Sequence, residues 1–157
     1  MIDSVIDSSY EAARKICNTH AERLRWAMVT LQQQRPLTPT KIAALTPLEL
    51  AVCDQFIARF TKLQDTMGAK LFPAILELTR EPGDLAVSID KLNRLEKIGA
   101  IPSTEQWLRL REMRNQLAYD YPDDPEIQAS LLNKALERAE EILQILEAVT
   151  RYADRYV

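Results

Sequence analysis

The chain has 157 residues, 46% of them apolar and only three of them glycine, enough for one domain of ordinary size with a substantial core. Its formal net charge of −3 argues against coating nucleic acid non-specifically, because such binding draws on many phosphate contacts, so RNA would have to be engaged locally. No apolar run approaches the roughly 20 residues that span a bilayer, and no basic segment followed by an apolar core opens the chain, so a cytoplasmic protein with no membrane attachment is expected.

Leu, Ala, Glu and Arg are abundant and alternating β-branched runs are nearly absent, which predicts an all-α fold. The pattern suggests an up-and-down bundle of about five helices, two of them long, in a single domain over residues 1–157. From Ser4 to about Gln34, Ile6, Tyr10, Ala13, Cys17, His20, Leu24, Ala27 and Leu31 recur every three and four residues, as one packed seam of a long first helix. His20, the only histidine, falls in that seam and reads as a partly buried, hydrogen-bonded side chain rather than a ligand or base. Cys17 and Cys53 lie among apolar residues and read as buried reduced thiols.

Arg35 to Thr40 forms a proline-rich connection, and Thr46-Pro47 with Glu49 marks the start of a second helix. Cys53, Phe56, Phe60, Leu63 and Met67 carry its apolar stripe, which resumes at Leu71, Ile75 and Leu78. Gly68 and Pro73 mark a kink or break between the two stretches. Arg59 and Lys62 read as a solvated face, with a basic wall beside an RNA groove as the alternative. After a turn at Glu81-Pro82-Gly83-Asp84, the residues Leu85, Ile89, Leu92 and Leu95 form the buried side of a short third helix, and Lys91, Arg94 and Lys97 lie away from it. Gly99 sits near its C-cap, and Ser103 or Thr104 caps the next helix. Past Pro122, Asp123 or Asp124 caps a last long helix with Leu132, Ala135, Ala139, Ile142, Leu146, Val149 and Ala153 on one stripe and Glu137, Glu140, Glu141 and Glu147 outside it.

The fourth helix carries most of the polar chemistry. In Trp107-Leu-Arg-Leu-Arg-Glu-Met-Arg-Asn-Gln-Leu-Ala-Tyr-Asp-Tyr-Pro122, several arginines, an amide and two phenols share a helix with an inward column of Leu110, Met113 and Leu117. Arg114, Ala118 and Tyr121 line up on one side, and Asn115 and Tyr119 form the column beside them. Together with Lys91, Arg94, Lys97, Arg109 and Arg111, Arg114 supplies the local positive field that an acidic protein needs to meet RNA.

Arg114-Asn115, three intervening residues, Tyr119, one residue and then Tyr121 resembles the R-N-x3-H-x-Y signature of the HEPN superfamily, and more narrowly the HepT-type ribonuclease toxins paired with a nucleotidyltransferase antitoxin. The resemblance implies a homodimer whose arginines meet an RNA phosphodiester across a cleft, metal-independent cleavage, and Tyr121 as a residue that the partner modifies with AMP. On that reading Arg114, Asn115 and Tyr119 are the catalytic positions. Tyr119 stands where the signature has histidine. A phenol with a pKa near 10 exchanges protons poorly at neutral pH, whereas histidine near 6.5 both takes and gives one, so this copy is expected to be impaired as a nuclease. A second reading is a non-catalytic helical substrate-binding or regulatory subunit of a nucleotidyltransferase. No glycine-rich phosphate loop, nucleophile triad or metal-ligand spacing occurs, so neither cofactor nor metal is expected.

Overall fold

The computed structural model describes residues 2–79, 88–119 and 123–157, the side chains of residues 2–7, 88 and 119 excepted. The fold is an all-α bundle, with no strand among the described residues. Its helices are α1 (Ile2–Leu31), α2 (Pro39–Ala43), α3 (Pro47–Thr66), α4 (Phe72–Leu78), α5 (Ser88–Lys97), α6 (Thr104–Tyr119) and α7 (Pro125–Ala153). The two long helices are α1 and α7, as the sequence predicts. Pro39 and Thr40, expected to be connection, open a short helix, Pro39–Ala43, because Thr38 caps it by accepting from the Lys41 N–H and Pro39 occupies its first turn.

Periodic burial builds the core. Tyr10, Ala13, Cys17, Leu24, Ala27 and Leu31 of α1 are buried, and Ala21 joins them. Along α7 every residue of the predicted stripe from Leu132 to Ala153 is buried. Burial also raises the thiol pKa values of Cys17 to about 12 and Cys53 to about 11, so both remain protonated thiols. Helix α1 packs most extensively on α3, while α6 lies against both α3 and α7. Tyr10 ties α1 to the end of α7 by donating to Asp154 Oδ1 at 3.2 Å. Asn133 holds the loop before α2 through paired 2.8 Å bonds to the backbone N–H and C=O of Leu37.

Caps set the boundaries that matter for the site. Thr46 and Glu49 form a reciprocal capping box at the start of α3. Gly99, at φ 84°, ends α5: the Ala100 N–H donates to Leu95 O and the Gly99 N–H to Glu96 O, a Schellman closure that needs a left-handed residue at this one position. Ser103 caps α6 by accepting from the Gln106 N–H at 3.1 Å, and Glu96 reaches from α5 to accept from the Thr104 N–H at 2.8 Å.

Gly68 and Pro73 do not break the chain. Residues Met67–Leu71 form a π-helical turn that joins α3 to α4, with the Phe72 N–H donating to Met67 O. The physical reason is the proline: in a regular α-helix the Ala69 carbonyl would pair with a Pro73 N–H that does not exist, and the ring would crowd that same carbonyl. One wider turn absorbs both defects. Trp107 packs onto it, 4.6 Å from Phe72 between ring centroids, and a Cβ added at Gly68 would stand 3.5 Å from the indole.

Candidate functional site

Four buried side chains, Trp107, Leu110, Met113 and Leu117, hold α6 against the core and decide where its polar residues point. Arg114 follows Met113 by about 100° and faces α3. Its Nε and Nη2 donate to the two carboxylate oxygens of Asp65, each at 2.8 Å, and its side chain is 19% exposed against 48% for Asp65. This fork-on-carboxylate geometry is the strongest orientation available to a guanidinium. Asn115, one step further round, is exposed, so Arg114 and Asn115 diverge instead of converging on one point. Tyr119 is the last residue of α6. Its side chain, with Tyr121 and Pro122, lies outside the described residues.

The five other cations expected to meet RNA are dispersed. Arg109 is tied to Glu105 one turn back at 3.3 Å and lines a small hollow with Lys134 and Arg138 on the α7 side. Arg111 is turned about 200° from Arg109 on the same helix and meets Lys91 of α5 across a cleft of about 160 Å³ at the π-turn. Arg94 is half-buried and Lys97 exposed. Lys91, expected to lie on a solvent face, is instead half-buried, and Ile89, expected to be buried, is 39% exposed. The reason is register: among the described residues of α5 only Leu92 and Leu95 are buried, which brings Lys91 to the edge of the contact and leaves Ile89 out of it.

A second polar cluster straddles α1 and α3. Arg59, expected to be solvated, is half-buried and its Nη1 lies 3.0 Å from His20 Nδ1. Arginine only donates, so Nδ1 accepts and the neutral ring carries its proton on Nε2. Burial lowers the His20 pKa, and the nearby charges of Arg59, Lys62 and Arg23 lower it further. Arg59 Nε is buried without a hydrogen-bond partner. A salt bridge from Arg114 to Glu112 or to an acid on another helix is the plain alternative to a phosphate contact, and Asp65 is that acid. Neither it nor the Arg59–His20 contact can be picked out by spacing, because the partners are separated by 49 and 39 residues, beyond the reach of any helical spacing rule.

Among the described residues no three or more His, Cys, Asp or Glu side chains gather where they could hold a metal ion, and no helix is long and apolar enough to cross a membrane. An open hollow on the Ser8 to Glu22 face of α1 has no second wall among the described residues to grip a ligand. Among the described side chains the arrangement offers fixed cationic donors and no proton-transfer pair. Compared with family models, with curated proteins and with solved structures, the chain finds no match in any of the three.

Proposed function

We propose that this chain is a HepT-like helical module of the HEPN type that pairs with a second copy of itself, engages RNA phosphate through Arg114, and is blunted as a metal-independent ribonuclease by Tyr119. The observation that carries the reading is the Arg114 guanidinium, held in one plane by two 2.8 Å bonds to Asp65. A phosphodiester meets a planar donor whose orientation is already fixed, which lowers the entropy lost on contact and stabilises charge gathering on phosphorus oxygens. Asp65 also opposes it, since its carboxylate neutralises the cation and repels the incoming anion. The module therefore binds RNA weakly.

A second copy would pair along the outer strip of α6, where Leu108 is 37% exposed and Glu112, Asn115 and Ala118 are exposed beside it. Two-fold symmetry brings the same strip to itself, and an axis passing near its C-terminal end would set the ends of both α6 helices side by side. A nucleotidyltransferase-type antitoxin is the proposed protein partner, and Tyr121 the phenol it would modify. An added nucleotide carries a phosphate anion, which would compete for the cationic end of α6.

The test is RNA cleavage in the presence of a chelator by the protein as it stands, by Tyr119→His and by Tyr119→His with Arg114→Ala. Restoring a group that exchanges protons near pH 7 is expected to raise the rate by about 10² or more, and removing the guanidinium to abolish that gain. If Tyr119→His cleaves no faster, the nuclease reading fails. The reading that then stands is a non-catalytic regulatory or substrate-binding subunit of a nucleotidyltransferase. The carboxylate opposing Arg114 favours it, and it predicts a stable complex with such a partner and no cleavage by any variant.

A further inference from the structure

The cleft at the π-turn contains a pair of cations that the preceding reading does not use. Its walls are Gly68 and Ala69 of the turn, Phe72 at the start of α4, Lys91 and Leu95 of α5 and Arg111 of α6. Arg14, Arg25, Arg35, Arg109, Arg114 and Arg138 each pair with a carboxylate. Lys91 and Arg111 form no ion pair with a described residue, although both are half-buried and the chain holds 23 acidic groups against 20 basic ones. Two half-buried charges of one sign on the walls of one cavity make it electropositive, and an anion seated between them is attracted by both.

We propose that this cleft is a binding site for a single phosphate monoester, with Lys91 and Arg111 as its ligands. Charge selects the monoester: it carries about −1.5 to −2 at pH 7, which matches two cations, whereas a backbone phosphodiester carries only one. Size is compatible, because a cleft of about 160 Å³ admits one phosphoryl group, with whatever it is attached to lying outside. Lysine supplies a point charge and arginine a planar fork, a pairing suited to tetrahedral oxygens. The π-turn makes the opening, since it widens the backbone where Gly68 and Ala69 present almost no side chain. The site does not depend on Arg114 or Tyr119, so it can stand or fall apart from the ribonuclease reading.

Titration calorimetry with inorganic phosphate, AMP, a 5′-phosphorylated RNA oligonucleotide and the same oligonucleotide with a 5′-hydroxyl tests this. The three probes with a monoester or free phosphate are expected to compete for one site, and the 5′-hydroxyl RNA to bind at least about tenfold more weakly than its phosphorylated form. Preference for the phosphorylated RNA over AMP identifies an RNA end as the source, and equal binding a free nucleotide. Lys91→Gln and Arg111→Gln should each weaken binding about tenfold or more. Ala69→Leu should do so sterically with both charges kept, and Arg151→Gln, on the exposed end of α7, should leave it unchanged. Circular dichroism and melting of each variant confirm folding. The proposal is overturned if 5′-hydroxyl RNA binds as tightly as the phosphorylated form, if the double glutamine variant keeps its affinity while folded, or if no probe saturates up to about 10 mM.

Discussion

Helix α3 carries a half-buried guanidinium contact on each flank, and the two are satisfied in opposite ways. Toward α6, Arg114 meets Asp65 with both donors at 2.8 Å. Toward α1, Arg59 meets only the neutral ring of His20 at 3.0 Å, its Nε stays unpaired, and Arg23 and Lys62 add like charge nearby. The first seam is neutral and geometrically fixed; the second is positively crowded and held by a single acceptor. A buried guanidinium is thus no guide by itself to stability or to function, because the group opposite it decides whether the charge is compensated.

The largest effect should come from breaking the compensated seam. Asp65→Ala removes the two 2.8 Å bonds that orient Arg114 and is expected to lower unfolding stability by about 1–2 kcal/mol, at the modest end for charged hydrogen bonds because Asp65 is half-exposed. In an Arg114→Ala background the same change should cost less than about 0.5 kcal/mol, a difference that a double-mutant cycle of urea melts measures. Equal costs in both backgrounds would mean that the two side chains do not interact. High salt should shrink the coupling.

The contrast also shows what sequence can reach. Helices α1, α3 and α7 were legible because their apolar residues recur at helical spacing and because Thr46 with Glu49, and Asp124, carry their own capping chemistry within three residues. The inward column of α6 was legible for the same reason. At Gly68 and Pro73 the disturbance was visible but its outcome was not, since whether a helix breaks or takes in a π-turn depends on what packs on it, here Trp107 and Phe72. The candidate site was legible only as a set of residue types on one helix. By residue type Arg109, Arg111 and Arg114 group as one positive field, although α6 turns them apart, and the groups they meet, Glu105 apart, belong to other helices. Asp65 sits among polar neighbours on α3 with no pattern to single it out, and Lys91 became half-buried only through the register of α5.

Relieving the crowded seam should do the reverse of breaking the compensated one. Arg59→Met keeps a flexible apolar stem in the groove between α1 and α3 and removes an unpaired Nε together with one of three clustered cations. Stability is expected to hold or to rise by up to about 1 kcal/mol, since replacing an uncompensated buried polar group with an apolar one of similar size is neutral or favourable. A loss greater than that would show that the Nη1 contact to His20 is worth more than the crowding it brings.

The smallest effect, and the one that separates burial from charge, is the pH response of His20. Its pKa in the folded chain lies below the ordinary value, first through burial and then through Arg59, Lys62 and Arg23. The unfolded chain therefore takes up a proton near pH 6.5 that the folded chain still refuses. Stability attached to this group is complete above about pH 6.5 and falls as the pH drops from there through the folded pKa, below which both states are charged. Protonation of Nδ1 also removes the acceptor of Arg59 and sets two cations 3.0 Å apart, which is why the folded state resists it. Urea midpoints followed from pH 8 to pH 5 should decline less in His20→Gln than in the unaltered protein, and the ring resonances should titrate below about 6.5. In Arg59→Met the titration should move upward but only part of the way back, because burial is the larger cause and remains. A complete return to the ordinary histidine value would make charge, rather than desolvation, the source of the shift, and would place the crowding of the α1–α3 seam almost wholly on Arg59.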